Sequence, residues 1–247
     1  MAFLFDDAHI LKKTVQLGVH FTPSVDAEAD REMLAAFAKQ VRALDNRVFN
    51  RYAFNRTSPS GQQAALLFER DMVVPKVGQA HNTPLLVYAN WMEIALIYRI
   101  PEARGVEMDS QERPRDEDFN KMVRLILREF WAKVASVDIT RIGKVYEYVW
   151  GPFEDDGIGW VTEKFLKVPA EMTVVGGNAF YLFRQEGHNI NFLIAPGTSP
   201  LGPIIQTKLD INNIDNTQRL QQPELDGILA FATRFHQENM QKLLQGG

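Results

Sequence analysis

The residues best suited to chemistry stand on one predicted strand near the middle of the chain and on a shorter segment before it. Arg141, Tyr146 and Tyr148 occur in RIGKVYEYVW, and Arg47 and Tyr52 occur in RVFNRYAFNR. A guanidinium presents a planar fork of donors to carboxylate or phosphate and stacks on aromatic rings, so arginine interleaved with tyrosine is typical of a polar ligand surface. The same pattern is typical of a solvated sheet face with cross-strand charge pairs. We take these five residues as ligand-binding candidates.

The histidines offer acid–base chemistry but no metal motif. No two of the five have the helical or strand-alternate spacing by which two imidazoles reach one metal ion. We therefore predict no metal site and no cofactor. His188 follows Gly187 at a predicted hairpin turn, where an exposed imidazole can act as an acid or base, and it joins the ligand-binding candidates. His236, on the last predicted helix, is expected to be a packed histidine.

Several catalytic motifs are absent from the sequence. There is no Gly-x-Ser-x-Gly, and the acidic segment 154–157 is followed by side chains that supply no oxygen ligand for calcium. The segment 197–202 lacks the Gly-Lys-Ser/Thr ending of a phosphate loop. The chain has no cysteine, which excludes disulfides and thiolate nucleophiles. No catalytic residue is proposed, and whether the protein is an enzyme stays open.

Composition restricts the partners and the location. The 27 basic and 31 acidic residues give a formal net charge of −4, which offers no overall attraction to phosphate backbones or anionic lipid. Nucleic acid is therefore an unlikely partner; the arginines of 42–56 are the weaker third possibility. Asp6 and Asp7 stand where a secretory signal needs positive charge, and the apolar stretch 85–100 is too short to cross a membrane. The sequence predicts a cytoplasmic protein with no membrane segment.

Helices and antiparallel strands must position these residues. Period-2 alternation predicts strands at 14–21 and 141–149, and a hairpin at 47–56 and 63–69. A meander is expected from strands at 172–175, 178–185, 189–195 and 204–211, with the Gly176-Gly177 turn between the first two. Apolar residues at helical spacing predict long helices at 26–44, from 118 to 134, and from Pro223 onward, and a short helix at 160–168 is expected. The stretch 71–84 reads as loop or short edge strand, and 85–100 is interpreted as a strand although helical spacing also fits it.

The elements divide the chain into two similar parts. A charged connection at 101–117 separates an N-terminal α+β unit, 1–100, from a C-terminal α+β unit, 118–247, and the two may pack as one globule. Ala38-Lys39…Arg47-Val48…Tyr52…Phe54 aligns without gaps on Ala132-Lys133…Arg141-Ile142…Tyr146…Tyr148, at an offset of 94 residues. The predicted fold class is α+β, with antiparallel sheets each packed by a long amphipathic helix, as two units from a duplication.

Two segments also resemble a known family. The sequence TRIGKVY at 140–146, the strand KLDIN at 208–212 and the final helix at 224–244 are similar to a sporadically distributed TIGR family of uncharacterised bacterial proteins, which carries an Arg-Ile-Gly-x-x-Tyr segment. The resemblance covers mainly 119–150 and 204–244. This chain departs from it with EYVW at 147–150, where the family has an asparagine-containing segment, and with the charged stretch 101–116. The resemblance implies a bacterial source, and because the family has no established activity, it assigns no functional residue.

We expect a non-enzymatic binding or protein-interaction module whose partner is an unknown protein or a second copy in a homodimer. The motivation is the absence of a catalytic constellation together with many aromatic residues suited to interfaces. The alternative is a small-ligand carrier or enzyme whose cleft lies between the sheet and the long helices, with Arg141, Tyr146 and His188 as polar contacts. Because Arg141 and Tyr146 point to opposite faces of a regular strand, both reach one cleft only if a bulge intervenes.

Overall fold

Four helices and nine strands make up the part of the chain that the computed structural model describes. That part comprises residues 5, 9–46, 48–74, 78–99, 116–133, 138–165, 177–214 and 219–245, with the backbone alone for 71–82, 96–99, 133 and 222. In chain order the elements are β1 (Ile10–Thr22), α1 (Arg31–Leu44), β2 (Arg51–Thr57), β3 (Gln63–Val74), β4 (Gly78–Val87), β5 (Trp91–Arg99), α2 (Asp116–Lys133), β6 (Asp138–Trp150), α3 (Ile158–Phe165), β7 (Ala179–Gln185), β8 (His188–Ser199), β9 (Gly202–Asn213) and α4 (Gln222–Leu244).

The described strands form one antiparallel sheet in the order β2-β3-β4-β5-β1-β6-β9-β8-β7. The α+β class predicted from the sequence is therefore confirmed. The two predicted units share this sheet instead of having one each, and they meet at the central pair, β1 and β6. Gly18 lies directly opposite Gly143 in that pair.

The helices pack on one face of the sheet, which we call the helix face. Along β1 the buried side chains on this face are Val15, Leu17, Val19 and Phe21, the alternation expected of a half-covered strand. Helix α1 buries Leu34, Phe37, Ala38 and Val41, an i, i+3, i+4, i+7 stripe. The rings of Phe21 on β1 and Phe37 on α1 both contact Phe130 of α2, at 5.2 and 5.3 Å between centroids. This joins β1, α1 and α2 in one apolar core.

The other face of the sheet, which we call the open face, contacts none of the described helices through the side chains at its centre. Its central positions are Gln16, Gly18 and His20 on β1, Arg141, Gly143, Val145 and Glu147 on β6, and Lys208, Asp210 and Asn212 on β9. Most of these side chains are half-buried or exposed, in contrast to the buried residues of the helix face. The sheet therefore separates two environments.

The N-terminal half of the sheet differs from its prediction in two places. The stretch 85–100 is not one strand: Tyr88 N–H donates to the Trp91 carbonyl at 2.8 Å and closes a turn between β4 and β5. The run carries no glycine or proline before Pro101 to mark that turn. The stretch 71–84, expected as loop or short edge strand, mostly belongs to the longer strands β3 and β4, which pair across 66–74. Pro84 argues against a strand, but it stands at the register shift between β3 and β4 and before β4 begins to pair with β5, so no regular ladder bond is lost there.

The long helices and the meander follow the predictions with shifted ends. Helix α4 begins beside Pro223, where Glu224 Oε2 accepts a hydrogen bond from Gln221 N–H at 2.6 Å in a capping box. Strands β7 and β8 join through Glu186 and Gly187, whose φ angles of 47° and 75° suit a tight turn. The predicted strand 172–175, its glycine turn and nearly all of the connection 101–117 lie outside the described residues.

The 94-residue echo connects elements at different places in the sheet. It aligns α1 with α2 and β2 with β6. Strand β2 is at the edge and its residues are mostly exposed, whereas β6 is central and buries every second side chain. Residues aligned by the echo therefore have different neighbours.

Candidate functional site

Strand β6 divides the candidate residues between the two faces of the sheet. Tyr146 and Tyr148 are buried on the helix face, whereas Arg141 is half-exposed on the open face. Residues 141–149 of β6 pair with β1 and β9 without an extra residue on the β6 side. Because no bulge intervenes, Arg141 and Tyr146 do not reach one cleft, and each belongs to a separate set of polar residues.

A row of cross-strand neighbours crosses the open face at its centre. Glu93 on β5 lies opposite Gly18 on β1, Gly18 opposite Gly143 on β6, and Gly143 opposite Asn212 on β9. The row continues through Asn189 on β8 to Arg184 on β7. At its middle, two glycines leave the backbone without side chains.

A depression of about 470 Å³ lies on the β7 side of these glycines. Its polar lining consists of Arg141, Arg184, Asn189, Asn191 and Asn212, and its apolar lining of Leu182 and Phe183. The volume falls within the range of small-ligand sites.

The amides of the depression form a chain of hydrogen bonds that ends on a carboxylate. Arg184 Nε donates to Asn189 Oδ1 at 3.1 Å, and Asn189 Nδ2 donates to Asn212 Oδ1 at 3.4 Å. Asn212 Nδ2 and Asn191 Nδ2 each donate to one oxygen of Asp210, at 3.2 and 3.1 Å. The amides thus satisfy the carboxylate oxygens of Asp210. Neither Arg141 nor Arg184 pairs with this carboxylate, so both can bind another group.

Aromatic residues stand on the other side of Arg141. His20 lies directly opposite Arg141, and its ring stacks on Trp91, which stacks in turn on Tyr88 at 4.6 Å between centroids. Partial burial, followed by the charge of Arg141, lowers the pKa of His20, so the imidazole is neutral at pH 7. Because the rings stack on one another across strands, they stand edge-on to the sheet.

Carboxylates lie further along the open face. Glu147 forms an ion pair with Lys208 at 3.1 Å. Burial, followed by the charge of Glu147, raises the pKa of Glu93. The centre of the open face therefore carries both signs of charge, with the unpaired cations at the depression.

On the helix face, a fully buried lysine lies between β6, α2 and α4. Lys144 Nζ donates to Asn120 Oδ1 of α2 at 2.9 Å and to Thr233 Oγ1 of α4 at 3.0 Å. It also lies 4.9 Å from the centroid of the Tyr146 ring and 5.4 Å from that of Phe119. Burial lowers the pKa of Lys144 to about 8, with the nearby Asp116 carboxylate opposing the shift.

A second polar chain adjoins the lysine. Tyr148 Oη and His236 Nε2 are 2.7 Å apart, and His236 Nδ1 lies 3.7 Å from Asp116 Oδ2. The His236 ring stacks on Tyr146 at 3.9 Å between centroids. Burial lowers the pKa of His236 to about 4, so the imidazole is neutral at pH 7. Burial, followed by the Asp116 charge, raises the pKa of Tyr146.

Three buried polar atoms of this network form no hydrogen bond of normal geometry with the described residues, although the Tyr146 hydroxyl lies near Thr233 and Asp116. They are Tyr146 Oη, His236 Nδ1 and Asp116 Oδ1. Buried polar atoms are normally satisfied, and an exception usually marks a bound water, a ligand or a functional role. The network is therefore a second candidate site, which we call the Lys144 network.

The remaining sequence candidates lie apart from both sites. His188 begins β8, and its ring stacks on Phe231 of α4 at 4.1 Å; partial burial lowers its pKa. Tyr52 lies on the edge strand β2 against Phe54 and Phe68. Arg47 lies outside the described residues. His236, expected to be packed, is buried, and it belongs to the Lys144 network.

The sequence candidates Arg141, Tyr146 and Tyr148 belong to the two sites, but most of the residues around them were not predicted. Lys144 stands at a buried position of an alternating strand, which is the signal for an internal charge. Gly18 and Gly143 each interrupt a strand pattern, which marks a bulge or a close approach of backbone or ligand. Asn189, Asn191 and Asn212 carry no such signal, because asparagine is common beside turns.

The described residues offer neither a metal cluster nor a membrane-spanning helix. Within the described ranges, no group of three or more His, Asp or Glu residues could hold a metal ion. No helix among the described elements is long and apolar enough to span a bilayer.

Comparisons with known proteins identify no relative. No family model matches the chain, so its resemblance to the TIGR family stays a prediction. No curated protein matches it either. A crystal structure of A. aeolicus tRNASec in complex with M. kandleri SerRS aligns with 94% of this chain at 11% identity and a TM-score of 0.24. The aligned part is 32% of that chain, and a likeness this weak carries no argument.

Proposed function

We propose that the protein is a non-enzymatic binding module that holds its partner against the open face of the sheet. The observation that carries the proposal is the pairing of Gly18 with Gly143 at the centre of that face. Glycine weakens a strand interior and is found where another molecule approaches the backbone closely. Two glycines in directly opposite positions provide such a place.

The fold itself does not need Gly18. A Cβ built at this residue would meet no atom within 4 Å, and its φ is not in the left-handed region. Neither packing nor backbone conformation therefore explains the missing side chain. Close approach of a partner does explain it, and the flanking Arg141 and His20 supply polar contacts at the same end of the two strands.

A photo-cross-linker tests this proposal in cells of the native host. p-Benzoylphenylalanine at position 18 should give a discrete adduct, whereas the same group at the exposed Lys39 of α1, on the helix side, should not. Mass spectrometry of the adduct distinguishes a protein partner from a second copy of this chain. Absence of an adduct at 18, or the same adducts from both positions, would count against the open face as the binding surface. Recovery of the adduct in the cytoplasmic fraction would agree with the location expected from the sequence.

We also infer that the two halves arose by duplication, with a register different from the 94-residue echo. A two-fold axis between Gly18 and Gly143 relates each residue of β1 to the residue 125 positions later in β6, since 143 − 18 = 125. It aligns LGVHF at 17–21 with IGKVY at 142–146. Each half then runs strand, helix, meander, and its last strand pairs with its first: β5 with β1, and β9 with β6.

The duplication has a testable consequence. A fragment containing only the first half leaves β1 without its β6 neighbour, and the two-fold relation favours pairing with β1 of a second copy. Light scattering of a folded fragment of residues 1–133, which keeps the α2 helix that packs on β1 and α1, should therefore show a dimer. A folded and strictly monomeric fragment would argue against the relation.

The Lys144 network favours a second candidate function, a small-ligand carrier or enzyme with its site between sheet and helices. The duplication register places Lys144 where the first half has Val19, and Tyr146 where it has Phe21. The fold can therefore fill these positions with apolar side chains, and a buried cation there needs another explanation. Native mass spectrometry tests this: a small molecule retained by the wild type should be lost in Lys144→Met. Retention by both proteins, or no bound molecule in either, would contradict it.

A further inference from the structure

We infer that the depression between Arg141 and Arg184 is an anion site, which binds a carboxylate or phosphate group of the ligand held on the open face. The inference rests on the proposed function, because it uses the same face, and it adds the chemical class of the ligand. The depression has about 470 Å³ and two guanidinium groups in its lining.

Several described arginines form ion pairs, but the two that line the depression do not. Arg124, Arg219 and Arg234 on the helix side of the molecule each pair with a carboxylate, of Asp226, Asp138 and Glu186 respectively. Within the described part of the chain, Arg141 and Arg184 have no such ion pair. The side-chain partner of Arg184 is the neutral amide of Asn189.

The arrangement of the amides keeps the guanidinium groups available. Asp210 is the nearest carboxylate along β9, and it accepts from Asn191 and Asn212 instead of from an arginine. Arg184 uses Nε for Asn189, so its two terminal nitrogens can donate in parallel to an oxyanion. A guanidinium binds the two oxygens of a carboxylate or phosphate in this bidentate geometry.

The geometry of the sheet indicates how long the ligand is. Arg184 and Gly143 are at the two ends of a row that crosses three strand intervals, and Arg141 lies two residues from Gly143 along β6. Strand spacing and rise then place the two arginine Cα atoms roughly 16 Å apart. With both side chains directed into one depression, the site suits an elongated molecule. An oxyanion of the ligand would lie at each end, and the asparagine amides would contact its middle.

Nucleic acid is the less favoured source of the phosphate. Recognition of single strands on a sheet uses aromatic faces on which bases stack. Here His20, Trp91 and Tyr88 stack on one another and present edges. The net charge of −4 also repels a long polyanion. A small molecule or an acidic side chain requires neither feature.

Calorimetric titration of the full-length protein with inorganic phosphate and with citrate tests the inference. Saturable binding of at least one probe is expected, and the preference between the two shows whether phosphate or carboxylate is the natural group. Arg141→Gln and Arg184→Gln should each weaken binding about tenfold or more, as loss of a charge-assisted bidentate contact does. Arg128→Gln is the matched control, because Arg128 is an exposed arginine of α2 on the other side of the sheet.

Three outcomes would overturn the anion site. They are no saturable binding of either probe at tens of millimolar, equal weakening by Arg128→Gln, and equal displacement by sodium chloride at matched ionic strength. Tighter binding of a single-stranded oligonucleotide than of citrate or phosphate would also overturn it in favour of nucleic acid. Cross-linking from position 18 is independent of these titrations. If it succeeds while the titrations fail, the binding face stands and the ligand class is wrong.

Discussion

The ammonium group of Lys144 is fully buried and donates a hydrogen bond to Asn120 Oδ1, 2.9 Å away, on the neighbouring helix α2. An internal charge of this kind is held in place by few partners and costs desolvation free energy. It makes stability depend on pH in a range where most side chains do not titrate.

Lys144→Met should remove a rise of stability at alkaline pH. The folded-state pKa is lowered from 10.5 to about 8, so the unfolded chain binds more protons between these values. The contribution of Lys144 to the free energy of unfolding therefore increases as pH rises through this range, by up to about 3 kcal/mol. Urea unfolding of both proteins between pH 7 and pH 10 measures the difference. Parallel pH profiles would contradict the buried charge.

His236→Gln should remove a loss of stability in acid. The folded-state pKa is lowered to about 4 from 6.5, so the unfolded chain binds more protons between pH 4 and pH 6.5. The stability contributed by the neutral imidazole is present above pH 6.5 and falls by up to about 3 kcal/mol as pH drops to 4. Urea unfolding across this range measures the effect in the wild type and the variant. Proton NMR gives an independent check: if the imidazole titrates near pH 6.5 in the folded protein, the prediction is wrong.

Gly18→Ala and Gly143→Ala should change stability in opposite directions. At Gly18 a Cβ meets nothing, so alanine removes the entropic cost of glycine and stabilises by roughly 0.5 kcal/mol. At Gly143 it would lie 3.1 Å from the Cβ of Asn212 and 3.3 Å from Asp210 Oδ1, two residues linked to each other by a hydrogen bond. That site should lose about 1 kcal/mol. Thermal unfolding of the two variants and the wild type measures the difference. If both variants shift the melting temperature in the same direction, the open face differs from this description.

Gly157→Ala should destabilise much more than Gly187→Ala. Both glycines have a φ of 75°, so the backbone strain of substitution is the same. A Cβ at Gly187 meets nothing, whereas at Gly157 it would lie 2.8 Å from Cδ1 of Ile205 on the helix face of β9. We expect about 1 kcal/mol from strain alone at 187 and about 1 to 3 kcal/mol more at 157. Equal losses would mean that the 151–157 loop does not pack on β9.

Periodicity predicted the layers of this fold but not the connectivity of the sheet. The apolar stripes of α1 and α2 and the alternation of β1 identify which side chains are buried, because burial alone sets those patterns. Whether β1 pairs with β6 depends on contacts between residues far apart in the chain, which leave no local trace. The turn at 88–91 was missed for a related reason, since its backbone hydrogen bond needs no glycine or proline.

In the candidate sites, too, the local pattern could be predicted from the sequence but the long-range contacts could not. Alternation along β6 placed Arg141 and Tyr146 on opposite faces, and the structure has them there. The partners of these residues come from β7, β8, α2 and α4, and no spacing in the sequence connects Lys144 to Asn120 or Asn189 to Asn212. The sequence shows what each side chain can do chemically. Which side chains come together depends on the topology of the sheet.

The central pair β1–β6 also determines how long β1 lacks a neighbour on one side during synthesis. Gly18 leaves the ribosome 125 residues before its partner Gly143. A nascent first half can already pair β1 with β5, but the other edge of β1 stays uncovered until β6 follows. At ordinary rates of translation this interval lasts roughly 6 to 25 seconds. For that time the strand at the centre of the finished protein is an exposed edge, and its hydrogen-bonding groups are open to any other extended segment nearby.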